Sequence, residues 1–282
     1  MVRLSALQLI STPNVGENLL NINQLLQQLP KSEQHIVVLP ECCLFFGGKD
    51  QEQLTLAQQN SENETLVTLL TQLAVDFNIT LVAGTIPTLA EKQLNSEKPK
   101  FYNRSWVISA QGKLLGSYDK IHLFDVNVND KSKRYRESDF TQGGNKTTVV
   151  DANFAKLGLS VCYDLRFPEL YRQLQQQGAE IITVPSAFTR VTGKAHWQAL
   201  LQARAIENQV FVIAAGQEGV HQNGRETWGH SMIISPWGEI LACHQYGQGF
   251  ASVEVSLAEI ASIRANMPVA SHNQFKVLLK NN

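Results

Sequence analysis

The chain has 282 residues, 43% of them hydrophobic and 17% charged, which is a globular rather than a disordered composition. A formal charge of −1 leaves no global field to draw it to nucleic acid or an acidic membrane, and no run of eighteen apolar residues could span a bilayer. The N-terminus lacks the apolar stretch of a signal peptide, so a cytoplasmic protein is expected. The four cysteines, at 42, 43, 162 and 243, fit neither a zinc knuckle nor a disulfide framework. They read as buried apolar residues with one candidate reactive thiol.

In chain order, Val2, Leu4 and Ala6 alternate with Arg3 and Ser5 as in a half-buried strand, which becomes nearly all apolar from Ala6 to Ile10. Asn14 and Glu17 form a capping box ahead of a helix carrying Val15, Leu19, Ile22, Leu26 and Leu29 on one face, and Pro30 ends it. A short apolar run from His35 to Pro40 predicts a buried strand that stops just before Glu41. A second capping box, Ser61 with Glu64, predicts a helix through Leu66, Leu69, Leu70, Leu73 and Phe77, then a strand from Thr80 to Gly84. Residues 102–118 predict a hairpin turning at Gln111-Gly112, and a long polar loop follows over roughly 121–147. Further on, the pattern predicts a strand from Lys156 to Cys162, a helix from Pro168 to Gln177, a strand from Ile181 to Val184, a helix from Lys194 to Asn208 and a strand from Val210 to Ala215. Strands near 229–234 and 240–243 flank Pro236-Trp237-Gly238. A last strand, Phe250 to Val255, precedes a helix near 257–265 and an irregular tail from about 266. With no linker rich in Pro or Ser, one α/β domain over 1–282 is expected, with two sheets covered by helices.

Three residues stand where strands end, the position at which open α/β sheets hold ligands. Cys162, in Val161-Cys162-Tyr163-Asp164-Leu165-Arg166, lies between a strand and a helix, yet a lone cysteine there also reads as buried filler. Glu41 and Lys120 each follow a strand too, where surface residues are ordinary. Convergence of all three on one sheet edge would bring acid/base, cation and nucleophile together. His196 and His230 are the most suggestive of seven histidines, but each also reads as structural, and no His pair is spaced for a metal. Gly143-Gly144 lacks the context of a phosphate loop. The basic stretch at 131–136, offset by Glu137 and Asp139, reads as a solvated or substrate-proximal loop.

The ordered motifs Leu39-Pro40-Glu41, Tyr118-Asp119-Lys120-Ile121-His122-Leu123-Phe124-Asp125 and the Cys162 segment resemble those of the nitrilase, or carbon–nitrogen hydrolase, superfamily. Within it the chain is most similar to the deaminated-glutathione amidase branch and the related ω-amidases. Pro185-Ser186-Ala187-Phe188, Thr192-Gly193-Lys194-Ala195-His196-Trp197 and Gly229-His230-Ser231 carry that likeness. The resemblance implies a four-layer α-β-β-α sandwich, paired through its helical layer into a homodimer or higher homo-oligomer. It implies Cys162 as nucleophile, Glu41 as general base, Lys120 as the cation at the oxyanion and Glu137 beside the lysine. Glu137 also reads as a partner of neighbouring arginines.

Such chemistry needs no metal or organic cofactor. Glu41 takes the thiol proton, Lys120 and a backbone N–H near Tyr163 stabilise the oxyanion, and Glu41 protonates departing ammonia and activates water against the thioester. The expected partner is a small carboxylate-bearing amide rather than nucleic acid or membrane. Arg166 is a candidate for its carboxylate, or else a structural ion-pair partner of Asp164 or Glu169. Phe188 and Thr192 are candidates to line the pocket, and Phe188 equally reads as core. Gln217, Gly219 and His221 match a pattern of the deaminated-glutathione branch, which tilts substrate choice away from α-ketoglutaramate. A catalytically silent scaffold is the remaining alternative, disfavoured by the intact Glu41, Lys120, Glu137 and Cys162. Two departures stand out: Cys43 where an aromatic is frequent, and, after Pro268 and His272, Asn273-Gln274 where basic residues are frequent.

Overall fold

The structure, a computed structural model, describes residues 1–63, 65–89, 98–130 and 134–280. The first half of the chain contains β1 (Val2–Gln8), α1 (Val15–Gln28), β2 (His35–Val38), α2 (Asp50–Asn63), α3 (Thr65–Asp76), β3 (Thr80–Val82), β4 (Ile86–Leu89), β5 (Phe101–Ile108) and β6 (Leu114–Asp119). A small hairpin, β7 (Asp125–Asn127) and β8 (Arg134–Arg136), precedes β9 (Val149–Asp151), β10 (Lys156–Leu159), α4 (Pro168–Gln176), β11 (Ile181–Ser186), α5 (Arg190–Asn208) and β12 (Phe211–Gly216). A second hairpin, β13 (Glu218–Val220) and β14 (Glu226–Trp228), leads to β15 (Ser231–Ile234), β16 (Ile240–His244), β17 (Gly249–Val255), α6 (Ala258–Asn266) and α7 (Val269–His272).

Two sheets result. One runs β17-β1-β2-β3-β5-β4 with β6 on the other side of β5, and the second runs β16-β15-β12-β11-β10-β9. Each has a parallel centre, β1-β2-β3 and β10-β11-β12, flanked by antiparallel strands. Period-2 alternation sorts the side chains into layers. Leu4, Ala6, Ile36, Val38 and Val82 face the second sheet, while Leu7, Val37, Leu39 and Leu81 pack beneath α1 and α3. On the second sheet, Leu170 and Leu174 of α4 and Trp197, Leu201 and Ala205 of α5 cover the outer face. The layers are helix, sheet, sheet, helix, the four-layer α-β-β-α sandwich.

The Asn14 cap forms, its Oδ1 accepting from the Glu17 N–H at 3.1 Å. The Ser61–Glu64 box does not open a helix. Ser61 lies inside α2 and donates to the Gln58 carbonyl at 2.7 Å, Glu64 is outside the described residues, and Asn60 Oδ1 instead accepts the Leu66 N–H at 2.9 Å. α2 has little signature in the sequence because, among its described side chains, only Leu54, Ala57 and Asn60 are buried in an otherwise polar stretch, against β4 and β5. The long polar loop is partly ordered by β7 and β8; of the basic stretch 131–136, residues 131–133 are outside the described residues. Cys243 is exposed rather than buried. The tail contains the one-turn α7 and meets the body where Gln173 Nε2 donates to the Val277 carbonyl at 3.2 Å. Asn273 stays local, its Oδ1 accepting the Phe275 N–H. No helix among the described residues is long and apolar enough to cross a membrane.

Two glycines let backbone approach the ends of β2 and β6. At Gly84, with φ +40°, a Cβ would sit 1.9 Å from the Pro40 carbonyl oxygen. At Gly144, whose N–H bonds the Lys120 carbonyl at 2.8 Å, it would sit 2.2 Å from the Asp119 oxygen. Gly84→Ala should destabilise the fold by more than about 1 kcal/mol, since both the φ and the space are wrong for alanine. Because Pro40 precedes Glu41, activity should fall with it. A urea midpoint within error of wild type would show that β2 can yield.

Candidate active site

Glu41 follows β2 and Lys120 follows β6, both in the first sheet, whereas Cys162 follows β10 in the second. The three therefore do not share one sheet edge as expected; they meet at one end of the sandwich, across the two sheets. The reason is the facing parallel centres, which bring the carboxyl ends of β2 and β10 to the same end. Two backbone turns aim the side chains. Cys42 (φ 56°) and Cys162 (φ 48°) are both in the left-handed region, which costs a non-glycine residue about 1–2 kcal/mol.

Lys120 is 2% exposed and its Nζ lies 2.9 Å from Glu41 Oε1 and 3.0 and 2.8 Å from the two Glu137 carboxylate oxygens. Glu41, 4% exposed, also accepts from Asn103 Nδ2 at 2.9 Å and, through Oε2, from the Ala187 N–H at 2.9 Å. Glu137 Oε2 accepts the Phe124 N–H at 2.7 Å. Burial pushes the Lys120 ammonium down, but the Glu137 and Glu41 charges outweigh it and hold the lysine well above its usual range. Burial likewise pushes Glu41 up. The Lys120 charge, with hydrogen bonds from Lys120, Cys162 and the Ala187 N–H, more than offsets it and keeps the carboxyl below its usual value. The Cys162 thiol moves the other way: burial and then the Glu41 charge raise it well above its ordinary value, against the opposing Lys120 charge. The resting site is thus an ionised Glu41–Lys120–Glu137 cluster beside a neutral thiol hydrogen-bonded to Glu41.

The turn holding Cys162 is organised by Asp164, a fully buried carboxylate. Oδ2 accepts the Val161 N–H at 2.9 Å and the Tyr118 hydroxyl at 2.8 Å; Oδ1 accepts the His122 N–H at 3.0 Å and lies 2.7 Å from His122 Nδ1. Asp164 thereby ties the Cys162 turn to the segment carrying Lys120. Neither Asp164 nor Asn103 was singled out from the sequence. A carboxylate two residues past the cysteine, inside a motif that also supplies Tyr118 and His122, was the available signal for Asp164. Asn103 left none, because its function exists only through pairing: Lys120 N–H donates to the Asn103 carbonyl while the Asn103 side chain reaches Glu41.

A cavity of about 460 Å³ opens over this cluster. Tyr163, Phe188 and Thr192 line it, with Phe46, Phe124 and Tyr135 completing an aromatic wall, and Lys49, Arg134, Arg136 and Arg225 giving it a basic mouth. Arg166 does not line the cavity. Its guanidinium lies 5.2 Å from the Phe188 ring centroid, 5.9 Å from that of Tyr163 and 3.2 Å from His196 Nδ1, and it pairs with neither Asp164 nor Glu169. Cys43 is likewise absent from the lining, being buried under the helical layer. Gln217 is wholly buried, donating to the Glu41 carbonyl and the Ser11 hydroxyl, and His221 bonds Thr227. His230 stacks on Trp228 as a structural residue. Among the described residues no group of three or more His, Cys, Asp or Glu side chains is arranged to hold a metal ion.

Residues 3–265 match the family model described as carbon–nitrogen hydrolase. The chain is similar to proteins named deaminated glutathione amidase from Yersinia enterocolitica, at 41% identity over 95% of this chain and 92% of that one, and from Synechocystis, at 42% over 96% and 97%. Among solved structures it is similar to Saccharomyces cerevisiae Nit3, described as a member of branch 10 of the nitrilase superfamily. The TM-score is 0.83 at 32% identity, covering 97% of each chain.

Asp164→Ala strands three donors, the Val161 and His122 N–H groups and the Tyr118 hydroxyl. At roughly 1–3 kcal/mol each it should cost at least about 3 kcal/mol of stability. Chemical denaturation checks this, and a loss below about 1 kcal/mol would mean the carboxylate does not hold the turn.

Proposed function

The chain belongs to the carbon–nitrogen hydrolase family, and from that membership and its relatives named deaminated glutathione amidase we propose that it is a cysteine amidase of deaminated glutathione. The observation that carries this reading is the neutral thiol of Cys162 beside an ionised Glu41 and Lys120, at the floor of a cavity with a basic mouth. The named relatives favour deaminated glutathione over the ω-amidase reading.

In the reaction we propose, the Cys162 thiol gives its proton to Glu41 as sulfur attacks the amide carbonyl. The oxyanion forms between the Lys120 ammonium and the Tyr163 N–H, which lies in the first turn of a short 3₁₀ helix where N–H groups lack intrahelical acceptors. Collapse breaks the C–N bond. Glu41 returns its proton to the leaving nitrogen, which departs as ammonia from a primary amide and as an amine from a substituted amide such as that of deaminated glutathione. Glu41 then takes a proton from water attacking the thioester, and collapse of that second adduct releases acid and thiol. Glu137 keeps Lys120 charged and in position. No step calls on a metal or organic cofactor.

Residues 1–282 are read as one domain with its tail from about 266. A homodimer is supported by the exposed Ile206 on α5 beside the exposed Trp237. Four free cysteines are in keeping with a reducing cytoplasm.

Cys162→Ala should abolish hydrolysis, and deaminated glutathione should turn over faster than a plain aliphatic amide; parity between the two amides would overturn the substrate. The general base must be ionised, and Glu41 is held below its usual value of 4.5. The acid limb of kcat/KM should therefore lie below 4.5, activity being full above it and lost as pH falls through the Glu41 value. An acid limb near neutrality would contradict Glu41 as the base.

A further inference from the structure

We propose that Arg225 is the residue that binds the substrate's carboxylate remote from the scissile amide, a role that rests on the substrate reading above. Arg225 sits just before β14 at the end of the β13–β14 turn and lines the cavity. Its guanidinium carbon is 5.0 Å from the Phe46 ring centroid and 5.1 Å from that of Tyr135. Phe46 is in turn braced by the buried His221, edge-on at 4.5 Å. Rings over a guanidinium satisfy its faces by cation–π attraction and fix its plane, while the N–H groups at its edge stay available. No carboxylate forms an ion pair with Arg225 among the described residues, which is unusual for a half-buried arginine. An oriented fork without an anion suits bidentate recognition of a carboxylate.

The other cations of the mouth are less suited. Lys49 and Arg134 are exposed, and Arg136 donates to the Tyr135 and Val126 carbonyls. Position along the wall indicates which carboxylate Arg225 meets. Tyr163, next to Cys162, touches Phe124 at 5.1 Å between centroids, Phe124 touches Tyr135 at 5.1 Å, and Arg225 lies beyond Tyr135. Three such steps separate it from the reacting carbon. In deaminated glutathione the glycine carboxylate extends up to about 7 Å beyond the scissile nitrogen across two residues, and it is the carboxylate we assign to Arg225.

Affinity should be measured in the Cys162→Ala background for deaminated glutathione and for its analogue with a terminal carboxamide, with and without Arg225→Gln. KM values for the same pair, in enzyme retaining Cys162, accompany them. With Arg225 present, deaminated glutathione should bind about 10- to 100-fold tighter than the carboxamide, the range for a charged hydrogen-bonded pair. Arg225→Gln should erase that preference. Equal affinity for the two compounds with Arg225 present overturns the inference even if the variant fails to fold. An equal loss for α-ketoglutaramate, which has only the keto-acid carboxylate, also overturns it by moving Arg225 to the acyl side. The binding arm needs no turnover: a protein that binds deaminated glutathione through Arg225 but does not cleave it contradicts the substrate reading alone.

Discussion

One buried ammonium organises the active end of this molecule. Lys120 is enclosed by protein and neutralised by two carboxylates, Glu41 and Glu137, each within 3 Å of Nζ. Burying such charges is costly unless each is paired and hydrogen-bonded, and here Asn103 Nδ2 and the N–H groups of Ala187 and Phe124 supply further hydrogen bonds to the two carboxylates. The cluster carries a net charge of −1 while Cys162 is a thiol. Ionising Cys162 would add a second uncompensated negative charge in a desolvated space. The site therefore holds Cys162 protonated and Glu41 ionised. In the proposed reaction, attack on a carbonyl moves the proton to Glu41 and carries negative charge to an oxygen beside Lys120.

That cluster can exist only because two sheets supply it. Glu41 and Lys120 come from one and Cys162 from the other, so the packing of the sandwich sets the distance between the Glu41 carboxylate and the Cys162 thiol. Asp164 is the chief tie across the gap, joining the Cys162 turn to Tyr118 and His122 on either side of Lys120. Left-handed backbone at Cys42 and Cys162 is sustained by the same surroundings, while Gly84 and Gly144 let chain segments close on the ends of β2 and β6. Strain and close approach are concentrated at strand ends, where the chemistry is.

Much of this was legible from residues alone, for reasons that differ by element. The central strands, buried on both faces, read as short apolar runs, and α1, α4 and α5 each bury one face, so pattern announces them. β4, β9 and the strands of the two hairpins are only three or four residues long, too short for a local alternation to announce them. α2 is polar enough to pass for loop. Glu41, Lys120 and Cys162 were recognisable as strand-end residues within ordered motifs, but their arrangement across two sheets is a property of packing. Arg166 shows the limit of spacing arguments: four residues past Cys162 put it near the site in sequence, yet its guanidinium lies over the Phe188 and Tyr163 rings and is not itself among the lining residues. Arg225, sixty-three positions after Cys162, reaches the cavity because the β13–β14 turn folds back over Phe46.

The central claim is that Cys162 rests as a thiol beside an ionised Glu41. The difference infrared spectrum between wild type and Cys162→Ala at neutral pH tests it most directly. A sulfur–hydrogen stretching band should be present in the wild type, displaced from that of a free thiol by its hydrogen bond to the Glu41 carboxylate, and absent from the variant. Absence of that band from the wild type, together with ultraviolet thiolate absorption that Cys162→Ala lacks, would contradict the account.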